Sequence, residues 1–165
     1  MPTVLPRGRV GPRMDDDYEL VRSVPDAETF CALREAAGMS ARSLDGARRG
    51  LPNTLFGVRV EYEGGAETDP DARDGPREVV GMARVVGDGG TVYQITDMAV
   101  HPDHQGRGLG SAMMDELVAY LDREAPEHAY VNLFADVDGF YERWGFAETA
   151  PESVGMYRRF DGDAP

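Results

Sequence analysis

Apolar and polar positions along this chain alternate in some segments and recur with helical spacing in others. Alternation and β-branched or aromatic content predict strands at residues 18–24, 54–62, 78–86, 91–100 and 130–135, and later ones from Phe146 and at 154–160. Helical spacing predicts helices at residues 27–37, 43–49, 106–125 and 137–144. The predicted strands and helices alternate along the chain, which predicts a domain built from both kinds of element.

The links between these elements predict how the strands pair. The turn Gly87–Gly90 joins two strands as a hairpin, so the strands at 54–62, 78–86 and 91–100 are expected to form an antiparallel meander. A helix separates the strand at 91–100 from the strand at 130–135, and such a crossover makes neighbouring strands parallel. We therefore expect an α/β fold of the α+β kind, with a mixed sheet.

Length and the composition of the termini predict the domain organisation. A chain of 165 residues fits one domain. Residues 1–16 carry prolines, glycines and a run of aspartates without an apolar period, which predicts a disordered arm before a single domain at 17–161. Residues 162–165 are expected to fray, and the Gly-, Asp- and Pro-rich segment 64–77 is predicted to be a mobile loop.

The charge balance restricts the expected partners. The formal net charge is −13, and all 17 basic residues are arginine. This argues against nucleic acid as a partner, because phosphate contacts need a basic surface. No apolar run is long enough for a transmembrane helix, so we expect no membrane contact. The lone cysteine, Cys31, allows no internal disulfide, which fits a cytoplasmic location.

A glycine-dense turn between the strand ending at Val100 and the next helix carries the clearest chemical signal. It reads Gln105-Gly106-Arg107-Gly108-Leu109-Gly110. Glycines let a backbone come close to a ligand, and the first N–H groups of a helix attract anions. The turn therefore predicts a phosphate or pyrophosphate site. Arg107 either adds a charge-assisted contact to the phosphate or is a solvated loop arginine.

Two other chemistries fit this stretch less well. The spacing Gly106-x-Gly108-x-x-Ser111 mimics the dinucleotide fingerprint of oxidoreductases. However, the segment His101–Gln105 separates it from the strand, where that fold allows almost no spacer. The two histidines of this segment and Asp103 lack evident further ligands, so we expect no metal.

Three motifs, in this order along the chain, resemble the GCN5-related N-acetyltransferase (GNAT) family. They are Val100-His101-Pro102, the glycine-dense turn, and Phe140-Tyr141-Glu142-Arg143-Trp144-Gly145-Phe146. The resemblance is close over residues 78–160 and rests on element order over 18–62. It implies the family's fold, a mostly antiparallel mixed sheet of about seven strands with a splayed parallel central pair and helices on both faces.

The resemblance implies acetyl-CoA as cosubstrate and indicates which residues hold it. The backbone at Met98, Ala99 and Val100 would pair with the pantetheine arm, and the glycine-dense turn would hold the pyrophosphate. The residues implied for the pyrophosphate are Gln105, Gly106, Arg107, Gly108, Leu109, Gly110 and Ser111.

The implied reaction is direct attack of a primary amine on the thioester in a ternary complex. Tyr141 is the candidate acid for the departing thiolate, because its ordinary pKa of about 10 keeps it protonated at neutral pH. Packing of its ring beside Phe140 and Phe146 is the alternative. The backbone N–H of Met98 would polarise the carbonyl.

A base for the amine is harder to assign. Many relatives carry an acidic residue where this chain has Gln94 or Thr96, and neither of these titrates usefully. Asp97 is the only carboxylate on the strand. It could take the amine's proton, directly or through water, or hold the substrate's ammonium group. The alternative is a structural aspartate that bonds to neighbouring backbone.

The motifs also indicate a branch of the family. The family often has an asparagine seven residues before the tyrosine, where this chain has Phe134; Asn132 is then either a replacement that contacts the cofactor or a plain strand asparagine. Plant and cyanobacterial proteins of the serotonin N-acetyltransferase type are similar at Leu133–Asp136, at Gly155-Met156 and in the spacing from Asp97 to Val100. The resemblance therefore implies that the chain belongs to this branch of the family, and we do not extend the arylalkylamine substrate of the branch to it.

The acceptor, the amine of a small molecule or of a peptide, leaves no recognisable signature in the sequence. Members of the family often dimerise, so a homodimer is one option. The missing acid at Gln94 and Thr96 also keeps open an alternative, a non-catalytic CoA-binding module with a regulatory role.

Overall fold

The structure is a computed structural model that describes residues 14–64 and 77–160. Most of the predicted arm, most of the predicted mobile loop at 64–77 and the predicted frayed tail lie outside the described residues. The chain divides into two compact units, one before and one after the bond between Asn132 and Leu133.

The first unit is built on a five-stranded sheet. The strands, in chain order and in their order across the sheet, are β1 (Tyr18–Val21), β2 (Phe56–Tyr62), β3 (Glu78–Gly87), β4 (Val92–Val100) and β5 (Tyr130–Asn132). The first three pairings are antiparallel, and β4 pairs with β5 in parallel. The predicted meander and parallel crossover are therefore confirmed. The described residues form five strands where about seven were expected from the family's fold.

Three helices belong to the same unit, and they begin where the sequence provides side-chain caps or glycines. They are α1 (Ala27–Ala36), α2 (Leu44–Gly50) and α3 (Leu109–Glu124). The Asp26 carboxylate accepts the Thr29 N–H at 2.8 Å, and the Ser43 hydroxyl accepts the Gly46 N–H at 3.0 Å. These contacts satisfy N–H groups that the first turn of a helix leaves unpaired.

The helices cover both faces of the sheet, as predicted. Gly81 and Met82 are neighbours on β3 and therefore face opposite sides. Met82 packs with Phe30 of α1 in one apolar cluster, whereas the Met113 methyl of α3 lies 3.4 Å from the position that a Cβ would take on Gly81. The buried stripe of α3 consists of Leu109, Met113, Met114, Leu117 and Leu121.

The second unit differs from the sequence predictions. The strand predicted at 130–135 ends at Asn132, and the helix predicted at 137–144 is reduced to a 3-10 turn, Tyr141–Trp144. The backbone at residue 139 has a φ of 73°, which a helix does not contain.

The strands predicted from Phe146 and at 154–160 are not formed in the described part of this unit. A strand needs a neighbouring strand and a buried face. Here Val154, Met156 and Phe160 are exposed, so their alternation buries nothing. Among the described residues of both units, no helix is long and apolar enough to cross a membrane.

Candidate active site

The two parallel strands of the sheet, β4 and β5, are paired over only three residues. Val92, Tyr93 and Gln94 of β4 pair with the three residues of β5, and β4 then continues to Val100 beyond the end of β5. The Gln94 side chain donates to the Asn132 amide oxygen at 3.1 Å, across the last pair. The parallel central pair implied by the resemblance is therefore present, and its splay stays a prediction, because all three residues of β5 are paired. Asn132 lies at the end of β5, and its side-chain oxygen accepts from the Gln94 amide.

A β-bulge lies on β4 just beyond its pairing with β5. Met82 of β3 pairs with Ala99 and Arg84 pairs with Thr96, so one residue of β3 lies opposite two of β4, Asp97 and Met98. Asp97 has a φ of 56°, in the left-handed region. Such a conformation costs on the order of 1 kcal/mol or more in a residue other than glycine, and aspartate tolerates it better than most. The bulge takes Met98 out of regular pairing with β3.

Both carboxylate oxygens of Asp97 are bound by arginines. Arg34 of α1 donates Nη1–H to Oδ1, and Arg84 of β3 donates Nε–H to Oδ2 at 2.6 Å. The Asp97 side chain is 5% exposed and that of Arg34 is 3% exposed. Burial lowers the pKa of Arg34 although Asp97 acts in the opposite direction, but the guanidinium remains charged. This geometry favours a structural role for Asp97, through two arginine side chains where neighbouring backbone was the expected partner, because neither oxygen is left unpaired for a substrate.

The glycine-dense turn adopts the backbone that the sequence indicates. Gly106 and Gly108 have φ values of 74° and 77°, which side chains with a Cβ strongly disfavour. Helix α3 therefore begins at Leu109, three residues later than predicted, and Gly108 at its N-cap provides no side-chain cap. The amide N–H groups at the start of α3 are thus directed toward the turn, which is suited to an anion.

Side chains of the turn itself contact the segments around it. The Gln105 side chain donates to the Val100 carbonyl at 3.2 Å, which ties the turn to the end of β4. The Arg107 guanidinium lies 4.0 Å from the Asp15 carboxylate, with about half of its side chain exposed. Arg107 is therefore placed in the turn with part of its surface available, and Ser111 is buried in the first turn of α3.

An aromatic cluster, Tyr18, Tyr62 and His104, supports the segment before the turn. The Tyr18 hydroxyl and His104 Nδ1 are hydrogen-bonded at 2.9 Å, and the centroid of the Tyr62 ring lies 4.7 Å from that of the His104 ring. Burial raises the pKa of Tyr18 above its ordinary value, so the hydroxyl stays protonated in the neutral range. The sequence did not predict this cluster, because β1 and the turn are far apart in the chain and no pattern in either segment indicates that they are in contact.

The histidines of this segment are therefore engaged in packing and hydrogen bonding. His101 Nδ1 accepts the Asp103 N–H at 3.3 Å, within the 3-10 turn Pro102–His104. In residues 14–64 and 77–160, no group of three or more His, Cys, Asp or Glu side chains is arranged to hold a metal ion.

Removal of the Tyr18 hydroxyl tests whether this cluster supports the turn. Tyr18→Phe keeps the ring but leaves His104 Nδ1 without its hydrogen-bond partner, so we expect the free energy of unfolding to fall by about 1 kcal/mol. The affinity for CoA should fall a few-fold, because His104 directly precedes the turn. Urea unfolding and calorimetric titration with CoA measure the two effects. Tyr62→Phe is the matched control in the same cluster, and an equal loss of CoA affinity there would contradict the prediction.

Tyr141 belongs to the second unit. It begins the 3-10 turn Tyr141–Trp144, and its ring meets that of Phe140 edge-on at 4.9 Å between centroids. Burial, with a smaller contribution from the Asp136 carboxylate, raises the pKa of Tyr141 above its ordinary value. Its phenol therefore holds its proton throughout the neutral range, as a donor to a thiolate must.

The comparisons with known proteins agree with the resemblance. The family model described as "Acetyltransferase (GNAT) domain" matches residues 66–148. Serotonin N-acetyltransferase 2, a chloroplastic protein of Oryza sativa subsp. japonica, is 31% identical over 135 residues, which are 79% of this chain and 68% of that protein. For three other curated relatives, from Porphyra purpurea, Pyropia yezoensis and Arabidopsis thaliana, the chain spans about half of their length, from 48% to 54%.

Solved structures show the same relationship. A crystal structure from meticillin-resistant Staphylococcus aureus, described as a probable acetyltransferase, is 40% identical, with a TM-score of 0.74 over 87% of this chain and 99% of that one. A GNAT family acetyltransferase from Brucella melitensis, solved in complex with acetyl-CoA, shares the fold at 20% identity, with a TM-score of 0.54 over 79% of this chain and 83% of that one.

Proposed function

Because the chain belongs to the GCN5-related N-acetyltransferase family, we propose that it transfers an acetyl group from acetyl-CoA to the primary amine of a small molecule or peptide. One observation carries the proposal: β4 continues past the end of β5 and leads into a left-handed glycine turn at the N-terminus of α3. A strand that extends beyond its parallel neighbour and an anion-binding turn lie in series, which suits a long ligand with a pyrophosphate in its middle. The Brucella relative binds acetyl-CoA on the same fold.

The proposed contacts follow the chain from the turn back along β4. The amides from Gln105 to Ser111 hold the pyrophosphate, and Arg107 adds a charge-assisted contact. The backbone of Met98, Ala99 and Val100 pairs with the pantetheine arm, as a strand added to the open side of β4 would.

The proposed chemistry is a single displacement at the thioester. The free amine attacks the carbonyl carbon, a C–N bond forms, and the C–S bond breaks. The Met98 N–H, released from regular pairing by the bulge, stabilises the developing oxyanion. Tyr141 gives its proton to the departing thiolate, and the proton of the amine leaves to water. Asp97 transfers no proton in this scheme, because both its oxygens are bound to arginines.

Thiol release from acetyl-CoA tests this proposal. The full chain is assayed with arylalkylamines, polyamines, amino acids, aminoglycosides and peptide N-termini, and acetylated products are identified by mass. Amine-dependent release of CoA is the expected result. The engagement of Asp97, with glutamine and threonine at 94 and 96, favours one second candidate, a CoA-binding module without catalysis. Thermal stabilisation by CoA with no turnover on any amine would support that candidate and overturn the proposed activity.

A further inference from the structure

Arg34, Arg84 and Asp97 form a buried ionic cluster that the proposed chemistry leaves without a role. Arg34 comes from α1, Arg84 from β3 and Asp97 from the bulge of β4, so three elements meet at one carboxylate. Both guanidinium groups also lie over the ring of Phe30, at 5.8 and 5.7 Å from its centroid. We name these three charged residues the Arg–Asp–Arg cluster.

Each arginine is itself fixed by a second contact. Arg34 donates Nε–H and Nη2–H to the Ser40 carbonyl at 3.1 and 2.7 Å, and Arg84 donates Nη1–H to the Thr54 hydroxyl at 3.1 Å. A guanidinium that followed the carboxylate would therefore have to break these contacts as well. Because the two arginines bind opposite oxygens, the carboxylate can neither rotate nor leave without breaking a charged hydrogen bond.

The position of Asp97 determines the position of the next residue. Asp97 is held at a left-handed φ, and Met98 follows it in the only bulge of β4 against β3 within the described register. Relaxation of Asp97 to an extended conformation would return β4 toward regular pairing and turn the Met98 N–H away from its present direction. The cluster thus provides the constraint that keeps an unfavourable backbone conformation in place.

We propose that Arg34 and Arg84 are positioning residues for acetyl transfer, which act through Asp97 to hold the Met98 N–H against the thioester carbonyl. The inference rests on the proposed function, because it assigns these residues to the oxyanion contact of that reaction. It also explains why a carboxylate at the reacting strand is kept from acting as a base. The cluster acts on the carbonyl and leaves the pyrophosphate turn unaffected, which separates its effects from those of the turn.

The central test is Arg84→Gln, which removes the charged donor to Asp97 Oδ2. We expect kcat for thiol release to fall roughly tenfold, since small displacements of an oxyanion donor are costly, while the Kd for CoA stays within about threefold. Arg84→Lys should recover part of kcat. Arg48→Gln is the matched control, because it breaks an exposed Arg48–Glu28 ion pair of 2.5 Å away from the bulge and should change neither quantity.

A spectroscopic readout separates positioning from a general loss of structure. Isotope-edited infrared difference spectra of bound acetyl-CoA, labelled with ¹³C at the carbonyl, report how strongly that carbonyl is polarised. In the wild type its stretch should lie below the value for free acetyl-CoA, and in Arg84→Gln it should return toward the free value. A carbonyl stretch in Arg84→Gln at the wild-type frequency would overturn the proposal. Losses of kcat and of CoA affinity by the same factor would overturn it too.

Asp97→Asn distinguishes positioning from proton transfer and substitutes for Arg84→Gln should that variant not fold. It keeps the shape of the side chain, and positioning predicts a lower kcat at every pH with the shape of the pH profile unchanged. Loss of the acidic limb of the profile would instead identify Asp97 as the base and overturn the proposal. The infrared measurement needs binding alone, so a wild type that polarises the carbonyl but acetylates no amine would refute the proposed activity, and only the effect of the cluster on the Met98 N–H and the bound carbonyl would stand.

Discussion

Replacement of Tyr141 by phenylalanine is expected to lower kcat by about 100-fold or more, within the range that a positioned proton donor contributes. The substitution keeps the ring and its edge-on contact with Phe140, so it removes the proton and little of the packing. The affinity for CoA and the free energy of unfolding should therefore change little. Steady-state kinetics with the best acceptor found by thiol release measure the effect.

The pH dependence of kcat also tests the acid role of Tyr141, and its direction follows from the pKa of this residue. Burial and Asp136 raise the pKa of Tyr141, so the protonated, active form is present at all pH values below its ordinary pKa of about 10. In the wild type, kcat should not decline through loss of this proton until the pH exceeds that value. Tyr141→Phe should lack such an alkaline decline.

A matched control lies in the same unit. Tyr157 is 84% exposed, and Tyr157→Phe makes the same chemical change where the side chain is exposed. It should retain wild-type kcat. Full kcat in Tyr141→Phe would remove the acid role and leave the packing role considered from the sequence.

The parts of the fold that could be predicted are those with local signals. The hairpin turn, the apolar stripe of α3 and the glycines before it each encode their structure within a few residues. The parallel pairing of β4 with β5 then followed from the connecting helix, by a rule of chain topology. The glycine-dense turn lies between a predicted strand and a predicted helix, so its position at the end of β4 and the start of α3 was predictable as well.

What could not be predicted depends on contacts between distant residues. Arg34 is buried together with the apolar residues of α1, and its charge is balanced by Asp97, 63 residues away. No local pattern reports such a pair. The strand predicted at 154–160 shows the opposite error, since its alternation is a local signal for which the described unit provides no partner.

Substitution of Gly106 by valine is expected to raise the Kd for CoA by roughly 30-fold. Gly106 has a φ of 74°, and no atom lies within 4 Å of the position that a Cβ would take, so the valine meets no clash. The cost is conformational, up to about 2 kcal/mol for a side chain in the left-handed region, and a β-branched residue lies at the upper end. Relief of that strain turns the amides of the turn away from the pyrophosphate. Calorimetric titration with CoA measures the loss.

Two comparisons locate the effect in the turn. Gly50 is equally open but has a φ of −85°, so Gly50→Val adds the same side chain without left-handed strain and should leave the Kd for CoA unchanged. Acetyl-pantetheine carries the thioester but no pyrophosphate, so Gly106→Val should leave kcat/KM for this donor near that of the wild type. An equal loss with both donors would mean that the substitution disturbs β4 as well, and an unchanged Kd for CoA would remove the turn from the binding site. A selective loss with CoA would leave one consistent account, in which the turn binds the pyrophosphate and β4 acts on the thioester.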